Sequence, residues 1–381
     1  MEEYLNARVT HLELSGIRKF FNMVAEFDDV VSLTIGQPDF PTPLHIKEAA
    51  KQAVDEDFTV YTHNAGFLGL RDAAAKYMLK KYNVSYEAES EVIVTTGASE
   101  AIDISLRTIL KEGDEVILPG PIYPGYEPIV RLCGAVPVLA DITKSSFKMN
   151  AEVISGYITD KTKCIIIPYP SNPTGVTLTR EELMEIAELV RGKGIFILAD
   201  EIYSELVFDQ QHTSIAEFLK GQTILINGLS KSHSMTGWRI GFLFAPKEIV
   251  QHILKVHQYN VSCASSISQK AAYAAVTAGF DDTAAMRDEY KRRRDYVYSR
   301  LVEMDLEVVK PDGAFYFFVK LPEAYSSSQD FALELLKKQK VALVPGDAFS
   351  PLGEGYVRLS YAYSMDTLKR ALDRLQLFLK K

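Results

Sequence analysis

The chain has 381 residues, which is enough for two or three domains with proper cores and excludes a single small module. Its composition, 47% hydrophobic and 24% charged, is typical of a globular protein and disfavours disorder. The formal net charge of −8 and the pI near 5.5 argue against a nucleic-acid partner, because such proteins usually carry a basic surface.

The strong run of basic residues, KRRRD at 291–295, lies among acidic residues with the apolar spacing of an amphipathic helix, so we interpret it as an exposed helix face. Cys133, Cys164 and Cys263 fit neither a C-x-x-C motif nor a disulfide framework, and we expect them to be reduced and buried. No metal site is predicted. The N-terminal stretch lacks the apolar core of a signal peptide, and no segment approaches the ~18 apolar residues of a spanning helix, so a cytoplasmic location is predicted.

Short β-branched runs alternate with helical patterns along much of the chain. The predicted strands are EVIVTT (91–96), DEVILP (114–119), CIIIPYP (164–170), GIFILAD (194–200) and QTILING (222–228). One intervening helical stretch begins at Thr179, which has capping-box spacing with Glu182. This alternation predicts an α/β domain with a largely parallel sheet covered by helices on both faces. After about residue 285 the pattern becomes α+β, which predicts a separate C-terminal domain.

Polar residues and glycines follow each of these apolar strands. Ligands of open α/β sheets bind outside the carboxyl ends of the strands, so a site is expected there. Gly97, Ala98 and Ser99 open a predicted helix, where free backbone amides and the helix dipole favour an anion. An ordinary N-cap is the alternative for this stretch taken alone.

Asp200 ends one predicted strand, and Tyr203 follows three residues later. A buried carboxylate needs a cationic or hydrogen-bonding partner, and beside a pyridine ring it would keep the ring nitrogen protonated. The tyrosine could direct its phenol toward the same ligand. Taken alone, this stretch is better explained by a helix N-terminal acid with a packed tyrosine.

Three further residues lie in turns after the predicted strands. Asn172, in the turn YPSNPTG, offers an amide to a ring hydroxyl. Tyr123 could stack on a ring or simply cover the core. Arg239 suits bidentate recognition of a phosphate, and a surface salt bridge is the alternative.

Lys231 is placed unusually for a solvated lysine, because it follows an apolar strand and precedes a glycine-containing turn. Its neighbours Ser230, Ser232 and Ser234 are small and uncharged. Such surroundings raise the question of a chemical role for its amine.

Taken in chain order, these segments resemble the class I aminotransferases, pyridoxal phosphate enzymes of fold type I. The resemblance covers nearly the whole chain and is carried by IGQPDF, YTHNAGFLGLRDA, TTGASEAI, GPIYPGY, SNPTG, DEIY, SKSHSMTGWRIG, PGDAF and YVRLSYA. Within the family, the chain is most similar to the bacterial aminotransferase A and prokaryotic aspartate and aromatic aminotransferase branch.

The resemblance implies pyridoxal 5'-phosphate as cofactor and a role for each matching residue. Lys231 would hold the cofactor covalently and then act as general base in the proton shift. Asp200 would pair with the pyridine nitrogen, Tyr203 and Asn172 would bind the phenolic oxygen, and Tyr123 would stack on the ring. The phosphate would be held by Ala98, Ser99 and Arg239, together with Tyr61 of a neighbouring subunit, which implies a homodimer with shared sites.

The resemblance also implies how substrate is bound and how the chain is divided. Arg358 would clamp the α-carboxylate, in a pocket lined by Gly36 and Asn172. The expected fold is a large domain (46–285), whose mostly parallel sheet is sandwiched by helices, and a smaller α+β domain. The smaller domain would combine residues 1–45 with residues 286–381.

The chain departs from its relatives at two positions. Aspartate-using relatives carry a lysine where this sequence has Ser99, which puts an aspartate preference in doubt. Some relatives have a phosphate-binding serine where this sequence has Gly228. Arg18, in SGIRKF, is a hypothetical partner for the distal group of an acidic or acylated amino acid, and a solvent-exposed helix arginine is the alternative.

The expected reaction is ping-pong transfer of an amino group between an L-amino acid and a 2-oxo acid, through the pyridoxamine form of the cofactor. Candidate donors are N-acetyl-LL-diaminopimelate and the dicarboxylic or aromatic amino acids. A C–S lyase or decarboxylase on the same scaffold is the alternative, although a carboxylate clamped by arginine disfavours decarboxylation. A cofactor-sensing regulator is disfavoured by the acidic charge and by the absence of room for a DNA-binding module before the family-like segment.

Overall fold

The computed structural model describes residues 1–380, and its strands carry the predicted site. The strands are β1 (Val31–Ser32), β2 (Val92–Thr95), β3 (Glu115–Gly120), β4 (Val136–Asp141), β5 (Thr162–Ile167), β6 (Phe196–Asp200), β7 (Thr223–Gly228), β8 (Gly241–Phe244), β9 (Tyr316–Lys320), β10 (Val341–Ala342), β11 (Val344–Pro345) and β12 (Tyr356–Ser360). Each strand predicted from the sequence is therefore confirmed, while β4 and β8 were not predicted.

Helices separate most of the strands. They are α1 (Ala7–Thr10), α2 (Gly16–Val24), α3 (Leu44–Asp55), α4 (Leu68–Tyr82), α5 (Gly97–Ile109), α6 (Glu127–Leu132), α7 (Ala151–Ser155), α8 (Arg180–Val190), α9 (Ala216–Leu219), α10 (Leu229–Ser232), α11 (Lys247–Val261), α12 (Ser266–Val276), α13 (Thr283–Glu303), α14 (Ser328–Gln339) and α15 (Met365–Leu379). The predicted capping box of α8 is present, with Thr179 and Glu182 each bonded to the other's backbone N–H. No helix within residues 1–380 is long and apolar enough to cross a membrane.

Within residues 1–380, seven strands form a large sheet in the order β2-β8-β7-β6-β5-β3-β4. Strand β8 is antiparallel to both of its neighbours, and the other pairings are parallel. The carboxyl ends of β2, β3, β5, β6 and β7 therefore point to the same edge. The predicted mostly parallel α/β sheet is confirmed, and its polar strand ends are brought together at that edge.

Both faces of the large sheet are buried because side chains alternate along each strand. Ile165 of β5 and Ile197 of β6 belong to the core cluster on one face, beneath α4, α8 and α12. Ile166 and Leu198, one residue further on, belong to the cluster on the other face, beneath α5 and α11. Covering helices on both faces explain why these strands are continuous apolar runs in the sequence.

The C-terminal elements form a smaller α+β unit with its own core. Its three-stranded antiparallel sheet has the order β11-β12-β9 within the described residues, and α13, α14 and α15 pack around it. Val31 of β1, in the N-terminal segment, pairs in parallel with Val341 of β10. Phe20 and Val24 of α2 pack in the same region, against Leu336.

The interpretation of the basic run as an exposed helix face is only partly right: on α13 the side chain of Arg292 is exposed and that of Lys291 is partly exposed, whereas the next two arginines are buried. Arg293 and Arg294, on α13, are 6% and 1% exposed. Arg293 binds both Asp39 carboxylate oxygens, and Arg294 pairs with Asp209 at 2.6 Å. Glu289 and Asp295 on the same helix also pair with these arginines, but Asp39 and Asp209 lie more than 80 positions away, so local spacing could not reveal the burial. The expectation for the cysteines was also only partly right, because Cys164 is buried while Cys133 and Cys263 are half-buried.

Candidate active site

A cleft of about 650 Å³ opens between the carboxyl edge of the large sheet and the C-terminal unit. Almost every residue predicted for the site lines it: Gly36, Ala98, Ser99, Tyr123, Asn172, Asp200, Tyr203, Lys231, Arg239 and Arg358, with Arg18 at the side formed by α2. Tyr61 does not line this cleft and is 87% exposed. The fold therefore gathers residues that are up to 340 positions apart in the sequence.

One end of the cleft is built to hold an anion. Helix α5 begins there at Gly97, which has a φ of +77°, and a Cβ at this residue would collide with the Arg239 guanidinium. Arg239 donates to the carbonyl oxygen of Thr236 at 3.0 Å and pairs with no carboxylate of residues 1–380. A helix N-terminus and an unpaired guanidinium thus face the same space, with Ala98 and Ser99 beside them.

Asp200 provides the negative charge deep in the cleft. It is 7% exposed, and it accepts hydrogen bonds from the Tyr126 hydroxyl at 2.7 Å and from the Ile202 N–H at 3.2 Å. Burial raises the pKa of the Asp200 carboxyl, whereas these two hydrogen bonds lower it. No cation of residues 1–380 forms an ion pair with it, so the site leaves this carboxylate for a positively charged ligand group.

Lys231 lies just after β7, on the short helix α10, and reaches into the same cleft. Its Nζ donates to the Gly36 carbonyl oxygen at 2.8 Å. Burial, followed by the positive charges of Arg239 and Arg358, lowers the pKa of the Lys231 amine to about 8. An amine with this pKa can exchange its proton close to neutral pH.

Arg358, on β12 of the C-terminal unit, brings a second unpaired guanidinium. It is 2% exposed, and it donates to Asn172 Oδ1 at 2.9 Å and to the Thr34 carbonyl oxygen at 2.5 Å. Its Nε is buried without a hydrogen-bond partner. Burial lowers the pKa of this guanidinium, and a carboxylate from a ligand would supply the missing acceptor.

The aromatic residues of the cleft form a wall around Lys231. The hydroxyls of Tyr203 and Tyr316 are 2.7 Å apart, and the Arg358 guanidinium lies 4.6 Å from the Tyr316 ring centroid. A Cβ at Gly36 would collide with the Tyr316 hydroxyl, so this glycine allows the chain to approach. Tyr123 is 39% exposed and reaches the cleft from the loop after β3.

Two tyrosines of this site were not predicted from the sequence. Tyr126 stands three residues after Tyr123, and only the fold shows that its hydroxyl meets Asp200. Tyr316 lies in the apolar run AFYFF, where nothing distinguishes it from the core aromatics around it. Tyr126 shares the loop GPIYPGY with Tyr123, so the turn signal covered it without showing its role, whereas Tyr316 has no polar strand end or turn beside it.

Pyridoxal phosphate, the cofactor implied by the resemblance, fits these residues. Its phosphate matches the anion site at α5 and Arg239, and its pyridine nitrogen matches the buried Asp200, which lacks a cationic partner. Its aldehyde group is one that the amine of Lys231 can bind covalently. The unpartnered Nε of Arg358 leaves a place for the carboxylate of a substrate.

Comparison with known proteins gives the same assignment. Residues 28–375 match the family model described as aminotransferase class I and II. A probable N-acetyl-LL-diaminopimelate aminotransferase from Bacillus subtilis (strain 168) is 64% identical over 381 residues, covering 100% of this chain and 97% of the relative.

Solved structures agree with this match. An aromatic aminotransferase from Pyrococcus horikoshii OT3 superposes with a TM-score of 0.90 at 40% identity, covering 96% of this chain and 98% of that one. An aspartate aminotransferase from Thermus thermophilus with maleate superposes with a TM-score of 0.93 at 34% identity, covering 98% of this chain and 99% of that one. The chain belongs to the class I and II aminotransferase family, and it is an aminotransferase of fold type I that uses pyridoxal 5'-phosphate.

Proposed function

We propose that this enzyme transfers the α-amino group of a long, acylated acidic amino acid, N-acetyl-LL-diaminopimelate, to a 2-oxo acid. The observation that carries this proposal is Arg18, a residue that lines the cleft, is exposed, and pairs with no carboxylate of residues 1–380. Ile17 and Phe21 of the same helix line the cleft beside it. The 64% identical relative named for this substrate supports the same choice.

Arg358 and Arg18 would bind opposite ends of such a substrate. Arg358 would clamp the α-carboxylate through its planar fork, and its free Nε would gain an acceptor. The methylene chain would lie against Ile17 and Phe21, and the distal carboxylate would reach Arg18. This chain has Ser99 on the α5 side of the cleft, where aspartate-using relatives carry a lysine. The positive charge that binds the distal carboxylate is therefore expected from Arg18 on α2.

The bound cofactor supplies an electron-withdrawing ring that stabilises negative charge on the substrate α-carbon. Asp200, oriented by Tyr126, would hold the proton of the ring nitrogen in place by its negative charge. Asn172 and Tyr203 would bind the ring hydroxyl, and the Asn172 amide nitrogen is free for this because its Oδ1 already accepts from Arg358. Tyr123 would cover the ring face, and Ala98, Ser99 and Arg239 would hold the phosphate.

Lys231 would have two tasks. It would be the covalent attachment point of the cofactor, and once substrate has displaced it, its free amine would take the proton from the substrate α-carbon and return it to the cofactor. The lowered pKa of about 8 suits the second task, because the amine must be unprotonated to accept a proton. Arg239 and Arg358 contribute to this lowering, so the anion-binding arginines also tune the base.

Turnover with single donors tests the substrate proposal. The purified enzyme is given N-acetyl-LL-diaminopimelate, aspartate or phenylalanine, each with 2-oxoglutarate, and kcat/KM is measured. We expect N-acetyl-LL-diaminopimelate to be used best, and Arg18→Ala to lower its kcat/KM about tenfold, as for loss of one charge-assisted hydrogen bond. Lys19→Ala is the matched control, because Lys19 is the next residue and pairs instead with Glu13 at 2.6 Å. Equal use of all three donors, or an unchanged kcat/KM in Arg18→Ala, would contradict the proposal.

We also propose a homodimer with shared sites. Tyr61 and Tyr259 are both 87% exposed and Val60 is 71% exposed, which is unusual for apolar side chains of one region. The Asn64 side chain donates to the carbonyl oxygen of Ser262 at 2.8 Å, so these two segments are neighbours. A second copy of the chain would cover these exposed side chains. Tyr61 of each subunit would then reach the cofactor phosphate of the other subunit.

Complementation between subunits tests the shared site. Lys231→Ala removes the base of its own subunit, and Tyr61→Phe removes the hydroxyl offered to the neighbour. In a mixed dimer one site would have both Lys231 and Tyr61, so activity should rise above that of either variant alone. A monomer in sedimentation, or mixing without a gain, would contradict the proposal.

The division of the chain into residues 1–45 with 286–381, and 46–285, is part of the same proposal. The pairing of β1 with β10 and the packing of α2 against α14 support joining the N-terminal segment to the C-terminal unit. A cytoplasmic location stays a prediction from the sequence.

A further inference from the structure

A buried histidine and glutamate outside the cleft connect the anion site to the segment that carries Tyr61. His257, on α11, is fully buried, and its Nδ1 lies 2.7 Å from Glu100 Oε1. Its Nε2 lies 2.9 Å from the carbonyl oxygen of Asn64. Both ring nitrogens of His257 therefore lie within hydrogen-bonding distance of an oxygen atom, one on α5 and one in the segment before β2.

Glu100 lies in the first turn of α5, directly behind the cradle formed by Gly97, Ala98 and Ser99. Its other oxygen, Oε2, accepts the backbone N–H of Thr96, the residue that precedes the helix. The carboxylate therefore fixes how the chain enters α5, and with it the direction of the N–H groups that face the cleft. His257 holds this carboxylate from the side away from the cleft.

The segment 61–66 is held to the same support. Besides the bond from His257 to its carbonyl oxygen, Asn64 donates through its side chain to Ser262 at the end of α11. The Ala65 carbonyl oxygen accepts the N–H of Val94 in β2, the strand that leads into α5. Tyr61 is thus exposed at the tip of a segment whose base is tied to α11 and β2.

We infer that His257 and Glu100 are positioning residues that join the phosphate cradle of one subunit to the tyrosine it presents to its neighbour. This inference rests on the proposed dimer. Binding of the cofactor phosphate at each site then depends on the His257–Glu100 pairs of both subunits. The pair touches neither cofactor nor substrate, and it acts through the α5 entry and through Asn64.

The first test compares two cofactor forms in the full-length protein. His257→Gln and Glu100→Gln should raise the Kd of pyridoxal phosphate about tenfold, because the N–H groups at the start of α5 lose the support that directs them at the phosphate. The Kd of pyridoxal, which has no phosphate, should change less than about twofold, because the ring and lysine contacts are untouched. An equal rise for both forms would indicate a general structural defect and would overturn the inference, as would no rise for either.

His212→Gln is the matched control, because His212 and Glu201 form another buried pair at 2.9 Å that lies away from α5. This variant should not change the ratio of the two Kd values. If His257→Gln does not fold, the double variant His257→Leu with Glu100→Leu is used instead. Replacing both members of a buried polar pair by apolar residues is less destabilising than removing one member. The double variant should show the same phosphate-selective loss of binding. Hydrogen exchange should become faster at the Thr96 amide and across 62–66 in the folded variants, with α15 unchanged.

The second test uses mixed dimers in which one subunit has Lys231→Ala, so that only the other subunit can bind the cofactor covalently and report binding by its visible absorbance. When that subunit also carries His257→Gln, the intact site of the other subunit should bind pyridoxal phosphate about fivefold more weakly, at the lower end of coupling between sites. An unchanged Kd would overturn the link between subunits. Sedimentation as a monomer would refute the proposed dimer and this link, while a phosphate-selective loss in the first test would still assign the pair to the cradle.

Discussion

Removing the hydroxyl of Tyr126 tests whether Asp200 must be held as a carboxylate. The Tyr126→Phe change deletes one oxygen and keeps the ring, which is 3% exposed and packs at 5.8 Å from the Tyr123 ring. The 2.7 Å bond to Asp200 Oδ2 is lost, and the Ile202 N–H is left as donor to Oδ1. A hydrogen bond to a buried charged group contributes about 1.5–3 kcal/mol.

That loss sets the size and the pH dependence of the expected effect. If this free energy is lost from the transition state, kcat decreases on the order of 10–100-fold. The bond from Tyr126 lowers the pKa of Asp200 against the effect of burial, so its removal raises that pKa. The deficit should therefore be largest at low pH, and the acid limb of the rate profile should move to higher pH.

The assay is single-turnover conversion of the bound cofactor, followed by its visible absorbance over a range of pH. Tyr361→Phe is the matched control, because Tyr361 is also buried and its hydroxyl donates to the Ala314 carbonyl oxygen, away from Asp200. It should lower the free energy of unfolding with little change in rate. A Tyr126→Phe rate within about twofold of wild type at all pH values would refute the role given to Tyr126, since even the smallest expected loss is larger.

Three other changes have defined outcomes. Arg358→Lys should lower kcat/KM for every amino donor on the order of 10–100-fold, because a lysine cannot form the bidentate contact, and donor titrations measure this. Gly97→Ala should weaken pyridoxal phosphate binding about tenfold in an absorbance titration, because its φ of +77° is strained for alanine and a Cβ would displace Arg239. Hydrogen bonds from Arg294 and Lys291 lower the pKa of Asp209 from its ordinary value of 3.8 to about 2, so the stabilising contribution of this carboxylate is present above about pH 4 and is lost as pH falls toward 2. Urea unfolding of Asp209→Asn and wild type should therefore differ at pH 6 and converge near pH 2.

Sequence reasoning placed the strands well because each is a continuous β-branched run, buried on both faces. It missed β8, whose residues Gly241–Phe244 include a glycine and aromatics that resemble loop or core. It also missed β4, whose Val136–Asp141 lies at the sheet edge, is only partly buried and contains a proline. Strand β8 is fully buried and β4 is only partly buried, so burial alone does not explain the two misses; what both lack is the continuous β-branched run by which the other strands were found.

Burial of charged side chains was harder to predict from the sequence than the strands. Spacing alone suggested an exposed basic face on α13, yet Arg294 is almost fully buried against Asp209. Whether a charge can be buried depends on the partner that the fold brings to it. The Asp200–Tyr126 and Glu100–His257 contacts have the same origin, since their members lie 74 and 157 positions apart.

By itself, the sequence determined the alternation of strands and helices, the polar strand ends where a site must form, and the ordered motifs that resemble one enzyme family. These properties are local, because they depend on side-chain period, turn chemistry and short runs of residue types. Only the tertiary structure decided which hydroxyl meets Asp200, which arginines keep a free face, and how α11 ties the cradle to the Tyr61 segment. Each of these depends on distances between residues far apart in the chain, and such distances are set by packing.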